Sequence, residues 1–373
     1  MAVMLTLAIL GCGDDADGAG GAGGTGGSGE RDAASPDGGG SGGAAACEPR
    51  DTTEIPDAMG CATRADDYAP CADDDWGGCI SDDGEYHPIE ATISTIARVE
   101  AFEAIADLLF DPTRDASSDD FLAARLVYQE EEGLDSRVVR RYDPHFDAPE
   151  GTDCTLPETP AKEPEYCVGP AILQPLLLDA FNAGIMGDAP RAQAARIEAG
   201  LLWFLYVSTA KESLTCTEVA KDCDSAYAYY TGGQAARGGI ALARRIAEVD
   251  PYAHDRAWDG LLAVRCWRDL DDAEVAEDAA LRDRARGQLD RALLDGLAAI
   301  VREEVDRAAD TTGDEQAYHW ALASTLGRAL DRAAREASPS DADVLAAEFA
   351  HADPADASAA GIVSALEAVF DCP

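Results

Sequence analysis

Three pairs of a carboxylate and a histidine, each about one helical turn apart, carry the most recognisable chemistry in this sequence. The pairs are Asp250 with His254, Glu315 with His319, and Glu348 with His351. A di-iron site in a helical bundle uses two Glu-x-x-His pairs together with two further glutamates. This sequence contains a single Glu-x-x-His pair. The spacing therefore favours structural or surface roles for these histidines over a transition-metal site.

An acidic run between Asp73 and Glu85 partly resembles a calcium-binding loop. Counted from Asp73, the glycine at position six and the isoleucine at position eight fit an EF-hand, but Gly84 stands at position twelve, where a bidentate glutamate belongs. The acidic side chains that would supply oxygen ligands are Asp73, Asp75, Asp82, Asp83 and Glu85. Calcium is the one cofactor that the sequence offers, against the alternative of a solvated acidic loop.

The segment from Arg140 to Phe146 places arginine, aspartate and histidine at the end of a predicted helix. His145 could act there as a general base, or the arginines could bind an anionic ligand. The favoured interpretation is that the arginines pair with nearby carboxylates and with the helix C-terminus. No Gly-x-Ser-x-Gly, His-Glu-x-x-His or phosphate-binding glycine motif occurs. The sequence names no catalytic residue and favours a protein that is not an enzyme.

A short internal similarity suggests how charged residues could meet. The segments 97–101 and 195–199 match at four of five positions, and each opens an apolar helix. A duplicated helical unit would give two related bundles and would let Arg98 face Glu198 and Arg196 face Glu100. With His145, these four residues form a candidate buried polar pocket. The alternative is two unrelated helices with solvated charges.

The cysteines indicate disulfide bonds and an oxidising compartment. There are eleven cysteines and no Cys-x-x-Cys spacing. If Cys12 carries a lipid, ten remain, an even number. We expect two local pairs and a third that ties the last helix to the body: Cys154–Cys167, Cys216–Cys223 and Cys266–Cys372. The remaining four, Cys47, Cys61, Cys71 and Cys79, would pair among themselves in one of three ways.

The N-terminus resembles that of bacterial lipoproteins. Ile9-Leu10-Gly11-Cys12 occupies the positions of a lipobox, although Leu10 is bulkier than usual and a basic region before the apolar run is missing. The apolar run is too short to span a bilayer. The resemblance implies a signal peptide over residues 1–11, a lipid on Cys12 and a location in the bacterial envelope, facing the periplasm or the cell surface.

The rest of the chain divides by composition into three parts. Residues 12–46 are a Gly- and Ser-rich tether, 47–88 a Cys-rich acidic segment, and 89–373 a helical domain. The predicted helices are 89–109, 117–133, 171–185, 190–214, 225–230, 234–249, 252–270, 272–307 with a break near Gly287, 314–337, 341–351 and 355–370. Residues 201–207 are apolar on every side of a helical wheel, which predicts a helix buried all round.

The fold class is therefore all-α, a multi-helix bundle braced by disulfides. The net charge of −43 would repel nucleic acid and anionic membrane surfaces, so no nucleic-acid partner is expected. The protein would be attached to the membrane through the lipid. The predicted role is binding or structural, and the partner would be an envelope protein or a small-molecule ligand.

Lipobox, tether and helical body together are similar in architecture to imelysin-like bacterial lipoproteins. That resemblance covers at most residues 89–370 and implies metal acquisition, in iron or haem uptake, as an alternative function. A helical enzyme with a pocket of carboxylates and histidine is a further alternative. The Gly-x-His-x-x-Glu motif of that family is missing, so no site residue carries over.

Overall fold

The described residues are 64, 66–70, 76–130, 133–234, 238–269 and 273–370 in a computed structural model of the chain. All regular structure within these ranges is helical, so the all-α prediction is confirmed. The helices are α1 Ile96–Leu109, α2 Ser118–Tyr128, α3 Leu134–Val138, α4 Thr159–Lys162, α5 Gln174–Met186, α6 Pro190–Thr215, α7 Lys221–Thr231, α8 Leu242–Val249, α9 Pro251–Trp267, α10 Ala273–Glu277, α11 Ala279–Asp310, α12 Gly313–Leu326, α13 Asp331–Ala337, α14 Pro339–Phe349 and α15 Ala359–Val369. None of the helices in these ranges has the length and apolarity needed to cross a membrane.

Helix α6 is the centre of the body. Every residue from Ile197 to Ala210 is buried, as the apolar run at 201–207 predicts. The helix starts at Pro190, where a proline has no N–H to leave unpaired. It packs against α5, α7, α11 and α12, and all of these helices share one hydrophobic core.

Helices α9 and α11 pack in close contact behind α6. A Cβ added to Gly260 would lie 2.7 Å from the Cα of Leu289, so the two backbones touch at this glycine. The predicted segment 272–307 does divide into two helices, but at Asp278, between α10 and α11. The predicted position near Gly287 is wrong, because α11 continues from Ala279 to Asp310. A single glycine costs a helix about 1 kcal/mol, which the packing of α11 against α9 and α12 outweighs.

The predicted helix 314–337 is interrupted. Its middle, Gly327–Leu330, is a 3₁₀ turn between α12 and α13. The ring of Phe349 occupies the space beside Gly327, where a Cβ would lie 2.4 Å from the Cε2 atom of that ring. The glycine thus allows α14 to pack closely over the turn.

The segment before α1 is bound to the helices behind it. Gln288 exchanges two hydrogen bonds with the backbone of Tyr68, at 2.7 Å and 2.9 Å. The backbone N–H groups of Ile89 and Glu90 donate to the buried carboxylate of Asp224. Because these groups are taken up by Asp224, the helix predicted from Ile89 begins only at Ile96.

Three disulfides lie within the described residues, and two of them were predicted. Cys154 bonds Cys167 and Cys216 bonds Cys223. The predicted Cys266–Cys372 pair is wrong, because Cys266 on α9 bonds Cys79, with a Cα–Cα distance of 5.4 Å. For the same reason Cys79 does not pair within the first four cysteines. Cys12, Cys47, Cys61, Cys71 and Cys372 lie outside the described residues.

The long-range disulfide should contribute more stability than a local one. Replacing Cys79 and Cys266 by alanine releases a loop with a sequence separation of 187, whereas replacing Cys216 and Cys223 releases one of 7. Chain entropy predicts a difference of roughly 3 kcal/mol between the two losses. Urea unfolding of the two double variants, each with its other disulfides oxidised, measures it. Equal losses would contradict the expectation.

Candidate functional site

A half-enclosed cavity of about 400 Å³ opens between α6, the 3₁₀ turn and α14. We call it the Trp203 cavity. Its apolar lining includes Phe146, Val168, Ile172, Trp203, Leu345, Ala346 and Phe349. Its charged lining consists of Asp143, Glu165, Arg328, Asp331 and Arg332. An apolar cavity of this size with a few polar groups at its edge is the usual form of a small-molecule site.

Three elements hold the principal side chains of this cavity. Trp203 comes from α6 and is only 6% exposed, because the neighbouring positions of α6 are buried. The guanidinium carbon of Arg328 lies 5.8 Å from the centre of the Trp203 ring, within reach of a cation–π contact. Phe349 closes the cavity from α14. A ligand in the cavity would therefore contact an aromatic surface and the guanidinium of Arg328.

His145 stands between two carboxylates in the wall next to this cavity. Its Nδ1 lies 2.6 Å from Oδ1 of Asp143, and its Nε2 lies 3.0 Å from Oδ1 of Asp290. Tyr206 donates to the same oxygen of Asp290, and Arg332 lies 3.6 Å from the other oxygen. Asp143 and Arg332 also line the Trp203 cavity, so this network joins the cavity to the core.

The surroundings of His145 fix its charge. Burial lowers the pKa, but the hydrogen bonds with Asp143 and Asp290 outweigh burial and raise the pKa of His145 to about 9. A protonated imidazole donates from both nitrogens and has no free lone pair. Near neutral pH His145 is therefore a cation that holds two carboxylates together, which favours a structural role over the alternative of a general base.

Glu198 lies in a different, smaller cavity of about 240 Å³. Tyr318 donates a hydrogen bond to its carboxylate, and Arg245 Nε lies 3.9 Å from it. Burial raises the pKa of Glu198, against the opposing effect of Arg245. His319 contacts Glu304 at 2.6 Å in the same cavity. Glu198 thus has a basic partner, contributed by α8 rather than by α1.

The predicted polar pocket does not form. Arg98 is buried and lines another cavity, together with Arg141 and Glu212. Glu100 and Arg196 are both exposed, and Arg196 donates to Gln193 on its own helix. The predicted pairs Arg98–Glu198 and Arg196–Glu100 are therefore wrong. The match at four of five positions correctly indicates two helices. It does not determine which face of each helix points toward the other.

Asp250 and His254 have separate structural roles. Asp250 caps α9 by accepting from the backbone N–H groups of Tyr252 and Ala253. His254 instead bonds Tyr230, at 3.0 Å. Among the described residues, no group of three or more histidine, cysteine, aspartate or glutamate side chains is placed to hold a metal ion.

The candidate calcium ligands are only partly within the described ranges. Asp82 accepts from the backbone N–H of Cys79 at 2.7 Å and from the hydroxyl of Tyr68 at 3.2 Å. Asp83 contacts His87 and the backbone N–H of Glu85, whose side chain is exposed. The carboxylates of Asp82 and Asp83 therefore accept hydrogen bonds that stabilise the local turns. Asp73 and Asp75 lie outside the described residues.

Sequence reasoning missed the Trp203 cavity. In the sequence, Trp203 is one residue of an apolar helix and nothing marks it as part of a site. Arg328 and Phe349 lie more than a hundred positions away from it. Gly327 is the one local signal, because a glycine allows another side chain to pack closely against the backbone. A glycine does not indicate which residue packs there. Only the folded arrangement brings these side chains together.

No family model matches the chain, and comparisons with curated proteins and with solved structures find no match. The functional argument therefore rests on the cavities and on the residues that line them.

His145 should make the stability of the protein depend on pH. Its pKa is about 9 in the folded protein and about 6.5 in an unfolded chain. Its contribution is thus fully present below pH 6.5 and is lost as the pH rises through 9. We expect the stability difference between the wild type and His145→Gln to shrink by about 2–3 kcal/mol from pH 6 to pH 10. Urea unfolding at several pH values measures this, and a difference that stays constant or grows would contradict it.

Proposed function

We propose that this protein is a lipid-anchored component of the bacterial envelope that binds a small amphipathic molecule in the Trp203 cavity. The observation that carries the proposal is the cavity itself, with an aromatic floor, a volume of about 400 Å³ and a guanidinium at its edge. Cavities of roughly 300–1,000 Å³ with this lining commonly hold small ligands.

The edge of the cavity favours a ligand with an anionic end. Asp143 is engaged with His145, and Asp331 with Arg335 at 2.9 Å. Glu165, the third acid of the lining, is exposed to solvent. Arg328 is exposed and forms no ion pair with any described residue. An apolar body against Trp203 would therefore place a carboxylate or sulfonate next to Arg328, where a charge-assisted hydrogen bond forms.

The location is supported by two independent features. Disulfides such as Cys79–Cys266 persist in oxidising compartments. Cys12 follows a lipobox-like sequence and a Gly- and Ser-rich stretch separates it from the body. Metal acquisition has no supporting observation among the described residues and is not proposed.

Filling the cavity should abolish binding without disturbing the fold. Ala346 on α14 is exposed and lines the cavity, whereas its neighbour Ala347 is equally exposed and does not line it. With anilinonaphthalene sulfonate as the probe, calorimetry should show a loss of affinity of at least about tenfold for Ala346→Trp. Ala347→Trp is the matched control and should bind as the wild type does. Equal affinities in the two variants would refute the proposed site.

The anchor makes a separate prediction. Expressed in a bacterium that processes lipoproteins, the mature chain should begin at Cys12 and carry a diacylglyceryl group, as intact-mass spectrometry would show. Cys12→Ala should move the protein from the membrane fraction to the aqueous fraction, because the anchor is lost. An unmodified N-terminus in the wild type would contradict the proposal.

A further inference from the structure

A second cavity gathers basic side chains in a protein that has few of them. It measures about 270 Å³, and its lining is almost entirely polar. Five of the fourteen lining residues are basic, namely Arg98, Arg137, Arg141, Lys211 and Lys221. The whole chain has 29 basic residues against 72 acidic ones, so this is a local reversal of the balance. We call it the Arg137 cavity.

The buried carboxylates that line this cavity are already engaged. Asp224 accepts from two backbone N–H groups and from the hydroxyl of Tyr86. Glu212 pairs with Arg141 and with Lys211, each at 3.0 Å. The charge of Glu212 is thus neutralised by two cations, and the oxygens of Asp224 are occupied by hydrogen bonds from groups in the wall.

A third carboxylate is engaged as well. Asp222 accepts a hydrogen bond from Thr215 at 2.5 Å and lies 3.9 Å from Lys211. Its pKa is raised, chiefly by burial. Glu90, the fourth acid of the lining, is exposed to solvent. The interior of the cavity thus has no carboxylate that lacks a partner.

Two of the five basic residues, Arg137 and Lys221, form no ion pair with the described residues. Arg137 is half-buried, its Nε has no hydrogen-bond partner, and it forms no ion pair with any described residue. Lys221 forms no ion pair with the described part of the chain either, and it is exposed at the mouth. A bound oxyanion would supply the acceptor that this buried guanidinium N–H lacks.

We propose that the Arg137 cavity binds a small oxyanion, a phosphate or carboxylate group. The planar guanidinium of Arg137 presents paired N–H donors that match two oxygens of such a group. The exposed ammonium of Lys221, at the mouth, adds to the positive potential. The volume admits a small anion rather than a lipid or a polymer. This site is independent of the Trp203 cavity, with which it shares no lining residue.

Calorimetric titration of the folded, oxidised protein tests this site, with sodium phosphate in one arm and sodium succinate in the other at equal ionic strength. We expect saturable binding of at least one anion, and the anion that binds identifies the source of the oxyanion. Arg137→Gln should weaken that binding by at least about tenfold, because a charge-assisted hydrogen bond is lost.

The matched control is Arg140→Gln, which removes the same charge three positions away from a side chain that does not line the cavity. It should bind within about twofold of the wild type. Lys221→Gln is a second variant whose exposed position cannot disturb packing, and it should weaken binding several-fold. Absence of saturable binding of both anions, or equal losses in Arg137→Gln and Arg140→Gln, would overturn the proposal. Ala346→Trp should leave this binding unchanged, so failure of one site does not imply failure of the other.

Discussion

The burial of α6 from Ile197 to Ala210 is the constraint on which the rest of the structure depends. A helix whose side chains are covered from Ile197 to Ala210 cannot be stable alone in water, and it needs neighbours on every side. Helices α5, α7, α11 and α12 supply that cover. Each of these helices buries one stripe of its surface against α6. The outer helices cover their remaining apolar surface, and the disulfides link the segments together.

The same constraint explains where the polar clusters lie. Because α6 carries two buried carboxylates, each needs a partner, since an unpaired buried charge is costly. Glu198, near the start of the helix, is matched by Tyr318 and Arg245. Glu212, about four turns later, is matched by Arg141 and Lys211. Trp203 lies between them, where the cover over α6 is incomplete. The three cavities are therefore distributed along one helix, two polar and one largely apolar.

What the sequence could predict follows from how local each interaction is. Pro190, the apolar run and the short loop between Cys216 and Cys223 are all readable from neighbouring residues, and the structure confirms them. Cys79–Cys266 joins residues 187 positions apart, and no local pattern distinguishes Cys79 from Cys372 as the partner. The Arg98–Glu198 pair failed in the same way, because the rotation of α1 is set by Val99 and Phe102 entering the core. Helices and short-range disulfides are thus predictable from this sequence. Contacts between side chains that lie far apart in the sequence are not.

The charge of the chain determines which groups are free to bind a ligand. With 72 acidic and 29 basic residues, a cation in this protein usually finds a carboxylate, as Arg256 does with Asp67 and Asp295. An arginine that lines a cavity without forming an ion pair, such as Arg137 or Arg328, is therefore unusual. The remote negative charges repel an anion only weakly, because salt screens exposed charges beyond about 8 Å at physiological ionic strength. Within a cavity the nearest guanidinium dominates. An acidic protein can therefore still bind anions, provided that the binding groups lie in cavities whose own carboxylates are already paired.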